Sequence, residues 1–592
     1  MDIFPINLFP MDRPSILGGK TNVGDVSGVI VPGVVRGDVT VNQFLDGSRP
    51  ARELSIPWDE MQDASEVFTL LRWRTAVSAF AGREAEIHAL YAWATAGPEV
   101  SAKFLTGEGG MGKSRLAAEL AKRLREDNWA AGFADLRKPD GYFARRPGTL
   151  LLIDYPEENR EAVRTLLQDF SGLEDAGRLR LLFLSRRPYD DWRELVHDSG
   201  AAGRFDPTSV ELAPLAGEGA YRVFCSAQER AAETLNTVPL SLSEEAFLAW
   251  LELAPENARP LFIVATAIYS AIDPQEPAVR FIGREVISAL VERELTRLRR
   301  ISEGSGLDRE ALGRLLAAAA IRGTVDRETL GTLASAELGM RVPDDLDRIE
   351  DRGPSGIVMD GAIPAPTPDI VAAALVVEVF GREPDLAPEW LWQAMGEDLA
   401  GGLERLGRLS HDAEIVLALH DHRLSEWLAR AVAGKPDRCR LVAPVVSMDH
   451  LPGGLIPLGA AVWRTLADVA EDEAGRAQSL NNLSVALADM GDAPGALAAI
   501  RDAVVIRRRL AASSPARYEP DLGRSLSVLS DQLEKAEDND AALDATEEAI
   551  RLIRPYAERF PGTRSARLLE VMQSDLARLK GGDGRTGSDQ TK

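Results

Sequence analysis

The sequence predicts a multidomain protein in which an α/β domain with a parallel sheet precedes helical and winged-helix-like domains and an all-α repeat region. Three observations predict this order. Apolar strand-like runs alternate with helical stretches between residues 75 and 215, a glycine-rich loop interrupts that stretch, and an internal repeat begins beyond residue 471. Alternating strands and helices are typical of a parallel sheet with helices on both of its faces.

Composition narrows the class of protein. At 592 residues the chain is long enough for about three to five domains. Its formal net charge of −24 disfavours broad contact with nucleic acid or an anionic membrane. Two cysteines, Cys225 and Cys439, are too far apart in sequence for a metal motif and fit a reducing, cytoplasmic location. The N-terminus lacks the basic and apolar regions of a signal peptide.

The most informative motif is the glycine-rich loop. Strand-like Ala102–Leu105 precedes it, and Arg115–Leu124 follows with apolar residues at helical spacing, which is the context of a phosphate-binding P-loop. Lys113 is expected to reach the β- and γ-phosphates, and the Ser114 hydroxyl is expected to bind Mg²⁺. Backbone amides around the phosphates complete the site. The predicted nucleotide-binding residues are Gly107, Glu108, Gly109, Gly110, Met111, Gly112, Lys113, Ser114 and Arg115.

An acidic residue at the end of a second buried strand is the next part that a nucleotide hydrolase needs. The run Thr149–Asp154 places Asp154 after four aliphatic residues, so its carboxylate is predicted at the carboxyl edge of the sheet, as a magnesium ligand. Glu157 and Glu158 follow, and one of them is a candidate general base for the attacking water. A solvated acidic turn explains the two glutamates equally well.

A third strand-like run, Leu179–Leu184, ends in Ser185-Arg186-Arg187. An arginine at a strand end that faces the nucleotide stabilises charge on the γ-phosphate, and Arg186 is the favoured candidate. The alternative is that either arginine lies on the surface or pairs with Asp190 or Asp191.

The internal repeat has an offset of 46 residues. Ser479–Leu510 aligns with Ser525–Tyr556, so that Leu483 meets Leu529 and Ala503 meets Ala549. Small residues at such positions allow two helices of a hairpin to cross closely. The pattern resembles tetratricopeptide repeats, with a plain helical bundle as the alternative.

These patterns divide the chain into seven predicted segments. They are a Val/Gly-rich N-terminal segment of short strands or flexible chain (1–50), a P-loop NTPase domain (75–215), a helical domain (216–300), a winged-helix-like domain (301–380), a helical linker region (385–470), tetratricopeptide repeats (471–580) and a disordered tail (581–592).

The motif order resembles a known family. Ala79–Glu84 (AFAGRE), Phe104–Ala117, Leu150–Glu157, Leu179–Arg187 and Glu211–Leu215 follow the order seen in the STAND class of signal-transduction ATPases, relatives of the AAA+ and NB-ARC proteins. The bacterial branch with tetratricopeptide repeats is the most similar. The resemblance covers about residues 75–380 and, through the repeats, 471–580.

The resemblance implies several further properties. Arg83 would lie near the base and ribose, and Pro260 would contact the adenine side, although Pro260 also suits a helix start. ATP or ADP with Mg²⁺ would be the ligand, since no guanine-reading Asn-Lys-x-Asp motif is present. One departure concerns Thr367-Pro368-Asp369, where many relatives have a His that holds the ADP β-phosphate.

The function predicted from these features is an ATP-binding, slowly hydrolysing molecular switch in signalling or defence. A protein or peptide ligand would bind the repeats, activation would involve homo-oligomerisation, and output would pass to a separate effector protein. Two alternatives remain: an ATP-dependent transcriptional regulator and a nucleotide-binding scaffold without turnover. The acidic residues Asp344, Asp345 and Asp347 disfavour DNA contact by the winged-helix-like segment.

Overall fold

The computed structural model describes residues 54–59, 67–136, 147–171, 178–206, 208–273, 278–335, 340–344, 349, 357–359, 361–420, 423–447, 453–559 and 564–582. The predicted N-terminal segment 1–50 lies outside these residues, as do Asp345, Asp347 and most of the predicted tail. Contacts divide the chain into two compact units. Unit 1 comprises Met1–Val379 and Asp412–Leu419, and unit 2 comprises Phe380–His411 and His420–Lys592.

Unit 1 contains a parallel five-stranded sheet with the strand order β2-β3-β4-β1-β5. The strands are β1 (Val100–Thr106), β2 (Ala130–Phe133), β3 (Gly148–Asp154), β4 (Arg178–Ser185) and β5 (Val210–Glu211). The three strand-like runs of the sequence therefore form β1, β3 and β4, and β4 lies between the other two. The predicted parallel sheet is confirmed.

Helices cover both faces of this sheet, as predicted. Side chains of a strand point alternately to opposite faces, so a strand with consecutive apolar residues presents an apolar surface on each face. On β3, Leu151 and Ile153 belong to one apolar cluster, whereas Leu150 and Leu152 belong to the other. Helices within unit 1 are α1 (Val67–Leu71), α2 (Glu84–Thr95), α3 (Lys113–Glu126), α4 (Arg160–Ser171), α5 (Arg193–Asp198), α6 (Gly217–Leu235), α7 (Glu244–Leu253), α8 (Pro260–Ile272), α9 (Gly283–Gly304), α10 (Ala311–Arg322), α11 (Arg327–Ser335) and α12 (Asp369–Phe380, whose last residue belongs to unit 2).

The segment predicted to resemble a winged helix combines helices with a small antiparallel pair. Strand β6 (Thr324–Val325) lies between α10 and α11 and pairs with β7 (Ile363–Pro364) just before α12. Helices and a short two-stranded sheet are the parts that a winged helix needs. The assignment to that fold stays a prediction.

The secondary-structure elements among the described residues of unit 2 are all helices. Its helices are α13 (Ala387–Met395), α14 (Leu399–His411), α15 (Leu424–Val432), α16 (Pro436–Val446), α17 (Ile456–Asp468), α18 (Glu473–Asp489), α19 (Ala493–Ser513), α20 (Pro515–Lys535), α21 (Asn539–Arg559) and α22 (Arg564–Gly582). Helix α22 ends at Gly582, two residues beyond the predicted start of the tail.

The 46-residue repeat recurs in the helix bounds. Helices α18 and α20 end at Asp489 and Lys535, and helices α19 and α21 begin at Ala493 and Asn539, each pair 46 residues apart. The aligned Ala503 and Ala549 are both fully buried. Helix packing through small residues therefore repeats along this part of the chain. Within the described residues, no helix combines the length and the apolar character needed to cross a bilayer.

Candidate functional site

The glycine-rich loop connects β1 to α3 at the carboxyl edge of the sheet. Gly110 and Gly112 have φ angles of 75° and 85°, which residues with a side chain rarely adopt. A Cβ atom at Gly110 would also lie 3.1 Å from the Leu261 Cβ, a tight contact that adds to the conformational strain of any other residue there. Gly112 is the residue before α3, so backbone amides of the loop converge at that helix N-terminus.

Lys113 lies across the mouth of this loop. Its ammonium group donates to the carbonyl oxygens of Gly107 at 2.6 Å and Glu108 at 3.1 Å. Burial, and then the positive charge of Arg186, lower the pKa of Lys113 to about 8, while Asp154 and other carboxylates partly oppose this. An anion placed in the loop would stabilise the charged amine. The lysine is therefore poised to exchange carbonyl partners for phosphate oxygens.

Ser114 and Asp154 meet across the carboxyl ends of β1 and β3. The Ser114 hydroxyl donates to Asp154 Oδ2 at 2.8 Å, and the other carboxylate oxygen accepts the Tyr155 backbone N–H at 3.2 Å. Burial raises the pKa of Asp154 to about 6, against the hydrogen bond from Ser114 and the charge of Lys113, which lower it. The two predicted magnesium ligands are thus brought together.

The residues after Asp154 turn back toward β4. Tyr155 has a left-handed conformation with φ of 50°, and a short 3₁₀-helix, Pro156–Asn159, follows. This turn buries Glu157, whose Oε1 accepts the Ser185 hydroxyl at 2.5 Å and the Arg186 backbone N–H at 3.0 Å. Glu158 is exposed. Of the two predicted candidates for the general base, only Glu157 lines the cavity described below.

Arg186 makes contacts that the sequence did not predict. Its guanidinium binds the Asp412 carboxylate through two nitrogens, at 2.8 and 3.0 Å, and Asp369 at 2.9 Å. Burial opposes the charge on Arg186, but the carboxylates of Asp412 and Asp369 outweigh it and raise the pKa of the guanidinium. The alternative that Arg186 pairs with Asp190 or Asp191 is wrong, because the carboxylates that Arg186 binds are those of Asp412 and Asp369. Asp190 pairs with Arg193.

Three further predicted residues support the loop in different ways. Arg83 is buried, pairs with Glu86 at 3.0 Å and donates to the Met111 carbonyl oxygen at 3.3 Å. Arg115 donates to the Trp73 carbonyl oxygen at 3.3 Å. Pro260 begins α8 and also lines the cavity, so a role as helix start is compatible with a role as ligand contact. The predicted contacts of Arg83 with base and ribose stay a prediction.

The start of α8 binds the loop directly. Arg259 Nη1 donates to the Gly109 carbonyl oxygen at 3.0 Å, and the Leu261 N–H donates to the Gly110 carbonyl oxygen at 3.2 Å. These hydrogen bonds tie the predicted helical domain to the backbone that would surround a phosphate. The sequence pattern indicates Pro260 but gives no signal for its two neighbours.

A cavity of about 600 Å³ contains this constellation. Five parts of unit 1 line it: residues 59 and 71–78, the loop with the ends of β3 and β4, the start of α8, Gly323 after α10, and residues 359 and 364–370. The lining residues include Asp59, Leu71, Trp73, Val77, Gly109, Gly110, Met111, Gly112, Lys113, Ser114, Arg115, Asp154, Tyr155, Glu157, Arg186, Pro260, Leu261, Val264, Gly323, Pro364, Thr367, Pro368, Asp369 and Ile370. Its volume lies within the range of small-molecule sites.

The donor set fits Mg²⁺ with a phosphorylated ligand. A hydroxyl and a carboxylate 2.8 Å apart are hard oxygen ligands, and magnesium at such sites takes its remaining ligands from phosphate oxygens and water. Among the described residues, no group of three or more His, Cys, Asp or Glu side chains forms a metal site of purely protein ligands. Ser114 and Asp154 therefore suit a metal that arrives with its substrate.

The raised pKa of Asp154 predicts how stability depends on pH without nucleotide or metal. At pH 4.5 the Asp154 carboxyl is already mostly ionised in the unfolded chain but protonated in the folded protein. Between pH 4.5 and 7 the folded protein must lose this proton, so the free energy of unfolding falls as pH rises. With pKa values of 3.8 unfolded and about 6 folded, this costs about 2 kcal/mol over that interval. An asparagine in place of Asp154 can still accept the hydrogen bond from the Ser114 hydroxyl, but its amide does not titrate.

Urea unfolding of the wild type and Asp154→Asn at several pH values, in the presence of a chelator, measures this effect. We expect the free energy of unfolding of the wild type, relative to the variant, to fall by about 2 kcal/mol from pH 4.5 to 7. Parallel pH profiles for the two proteins would show that Asp154 does not titrate in this range.

Comparison with known proteins adds little to this geometry. No family model matches the chain, and no curated protein matches its sequence. Among solved structures, the chain is similar to a signal transduction ATPase with numerous domains (STAND) protein with a tetratricopeptide repeat sensor from Pyrococcus horikoshii. The identity is 12%, the match covers 88% of this chain and 82% of that one, and the TM-score is 0.26. A likeness this weak does not assign the chain to a family.

Proposed function

We propose that the protein is a molecular switch that binds Mg²⁺·ATP at the 107–114 loop and hydrolyses it slowly. The observation that carries the proposal is the composition of the cavity wall. Lys113, Ser114 and Asp154 supply the groups for a triphosphate and its metal, and Pro260 and Asp369 bring two later segments to the same cavity. Bound nucleotide would contact all of these segments together.

The chemistry assigned to this chain's residues is positional and electrostatic. Loop amides and Lys113 would bind the phosphates, and Ser114 and Asp154 would hold Mg²⁺, which neutralises charge on the phosphate oxygens. Glu157 would orient the attacking water and accept its proton. Its hydrogen bonds to Ser185 and the Arg186 N–H fix its position at the end of β4.

The preference for adenine rests on the family resemblance and on the absence of an Asn-Lys-x-Asp motif, whereas an apolar part of the wall suits either purine. Leu71, Val77, Pro260, Leu261 and Val264 contribute side chains suited to the face of a purine. Titration with ATP, ADP and GTP tests this directly, and we expect both adenine nucleotides to bind more tightly than GTP.

A switch requires that the protein with ATP bound differ in conformation or assembly from the protein with ADP bound. ATP bound among segments that lie far apart in the chain biases their arrangement only if its affinity differs between two arrangements. In this proposal, the helical repeats of unit 2 receive a protein or peptide ligand, activation involves homo-oligomerisation, and a separate effector protein receives the output. The site is proposed to serve signalling or defence.

Mass and shape in solution test the switch. We expect light scattering and small-angle X-ray scattering to give different values with Mg²⁺·ATP and with ADP, because the terminal phosphate alters contacts at Arg186. Lys113→Ala is the control and should give the same values under both conditions. Identical mass and shape for the wild type with saturating ATP, ADP and no nucleotide would contradict a switch and favour a static scaffold.

A further inference from the structure

The carboxylates on Arg186 come from distant parts of the sequence. Asp369 is 183 residues from Arg186 and is the first residue of α12, and Asp412 is 226 residues away. Asp412 opens a single π-helical turn, Asp412–Val416, which directly follows α14. Single π-helical turns are rare in proteins, and those that occur often lie at functional sites. The π-helical turn and Asp369 thus converge on one guanidinium.

The contact between Asp412 and Arg186 has the geometry that arginine uses for phosphate. Two guanidinium nitrogens bind the two carboxylate oxygens, at 2.8 and 3.0 Å, in the fork arrangement that also recognises phosphate oxygens. The Asp412 side chain has no exposed surface, whereas 16% of the Arg186 side chain is exposed. The arginine face suited to an anion is therefore already occupied.

Asp412 also lies against the phosphate-binding loop. A Cβ atom at Gly109 would be 3.0 Å from Asp412 Oδ1 and 3.1 Å from Arg186 Nη2. Val416, from the same π-helical turn, lines a neighbouring cavity together with Gly107 and Glu108. A buried negative charge is thus held beside the loop where phosphates would bind, and a further phosphate there meets repulsion as well as a competitor for Arg186.

We propose that Asp412 makes this site discriminate between nucleoside diphosphates and triphosphates. Its carboxylate holds the Arg186 guanidinium that a terminal phosphate needs, so a triphosphate binds fully only when the π-helical turn is displaced, whereas a diphosphate leaves the turn in place. This inference rests on the proposed nucleotide binding and names a regulator of that site. The turn directly follows α14, so it lies where the chain returns from unit 2 to unit 1.

The ratio of ATP to ADP affinity in the full-length protein tests the proposal. Asp412→Asn keeps the shape of the side chain and removes its charge, so we expect ATP affinity relative to ADP to rise by at least about tenfold. Because both nucleotides are measured on the same variant, a general loss of stability cancels in the ratio. Asp437→Asn is the matched control: it removes a carboxylate from an exposed Asp–Arg pair and should leave the ratio unchanged.

A second measurement uses the wild type and needs no variant. The Leu417 and Leu419 amides donate to the Asp412 and Ala413 carbonyl oxygens within this segment. We expect both amides to exchange hydrogen faster with Mg²⁺·ATP bound than with ADP bound. If Asp412→Asn does not fold, equal exchange in the two nucleotide states of the wild type overturns the proposal.

The outcomes separate this inference from the proposed function. An unchanged ATP-to-ADP ratio in a folded Asp412→Asn variant that binds nucleotide overturns the role of Asp412 alone. A wild type that binds neither nucleotide overturns the proposed function and this inference with it.

Discussion

Lys113→Ala is expected to lower ATP affinity by about 100-fold, because charge-assisted hydrogen bonds to phosphate in a partly buried loop are among the strongest contacts such a ligand makes. In the structure, the Lys113 ammonium group donates to two carbonyl oxygens of its own loop, at 2.6 and 3.1 Å. Its loss should therefore affect folding much less than binding. Calorimetric titration with Mg²⁺·ATP gives the affinity, and circular dichroism checks that the helical unit stays folded.

The matched control for this variant is Lys122→Ala. Lys122 lies on the same helix, α3, and is exposed. Its removal lowers the positive charge of the protein by the same amount, and ATP affinity should stay within about twofold of the wild type, since exposed charges contribute little. A Lys113→Ala variant that binds ATP as tightly as the Lys122→Ala variant would show that Lys113 does not contact the phosphates.

The second large effect concerns turnover. Glu157→Gln is expected to reduce phosphate release by at least about 100-fold, because an amide cannot accept the proton of the attacking water. The amide oxygen can still accept the Ser185 hydroxyl and the Arg186 N–H, so the end of β4 keeps its hydrogen bonds and ATP affinity should change little. Phosphate release under saturating Mg²⁺·ATP measures the effect.

Glu158→Gln separates catalysis from the loss of negative charge in this turn. Glu158 is the next residue and is exposed, so its variant should release phosphate at nearly the wild-type rate. Equal loss of turnover in both variants would contradict the assignment of Glu157 as the base. A wild type that binds ATP and releases no phosphate would favour the nucleotide-binding scaffold.

The sequence predicts the sheet and the loop because both depend on local patterns. The aliphatic run before Asp154 must be buried on two faces, and its end must then lie at the carboxyl edge of a parallel sheet beside the loop. The 2.8 Å contact between Ser114 and Asp154 follows from that placement.

The sequence does not predict which groups bind Arg186 or which glutamate is buried. Asp412 lies 226 residues from Arg186, and nothing in its local sequence marks a π-helical turn that reaches the loop. Glu157, rather than Glu158, is buried because the chain turns at Tyr155, which has a left-handed conformation. Residues other than glycine rarely adopt this conformation, so tertiary contacts must stabilise it. Both features depend on long-range packing, which periodicity and spacing do not encode.

A structure of the protein with Mg²⁺ and a non-hydrolysable ATP analogue tests the central claim most directly. We predict phosphate density along residues 107–114, the Lys113 ammonium moved from the Gly107 carbonyl oxygen to a phosphate oxygen, and the metal between Ser114 and Asp154. Density for the analogue elsewhere, with Lys113 still bound to the Gly107 carbonyl oxygen and the loop empty, would contradict the assignment of this loop as the nucleotide site.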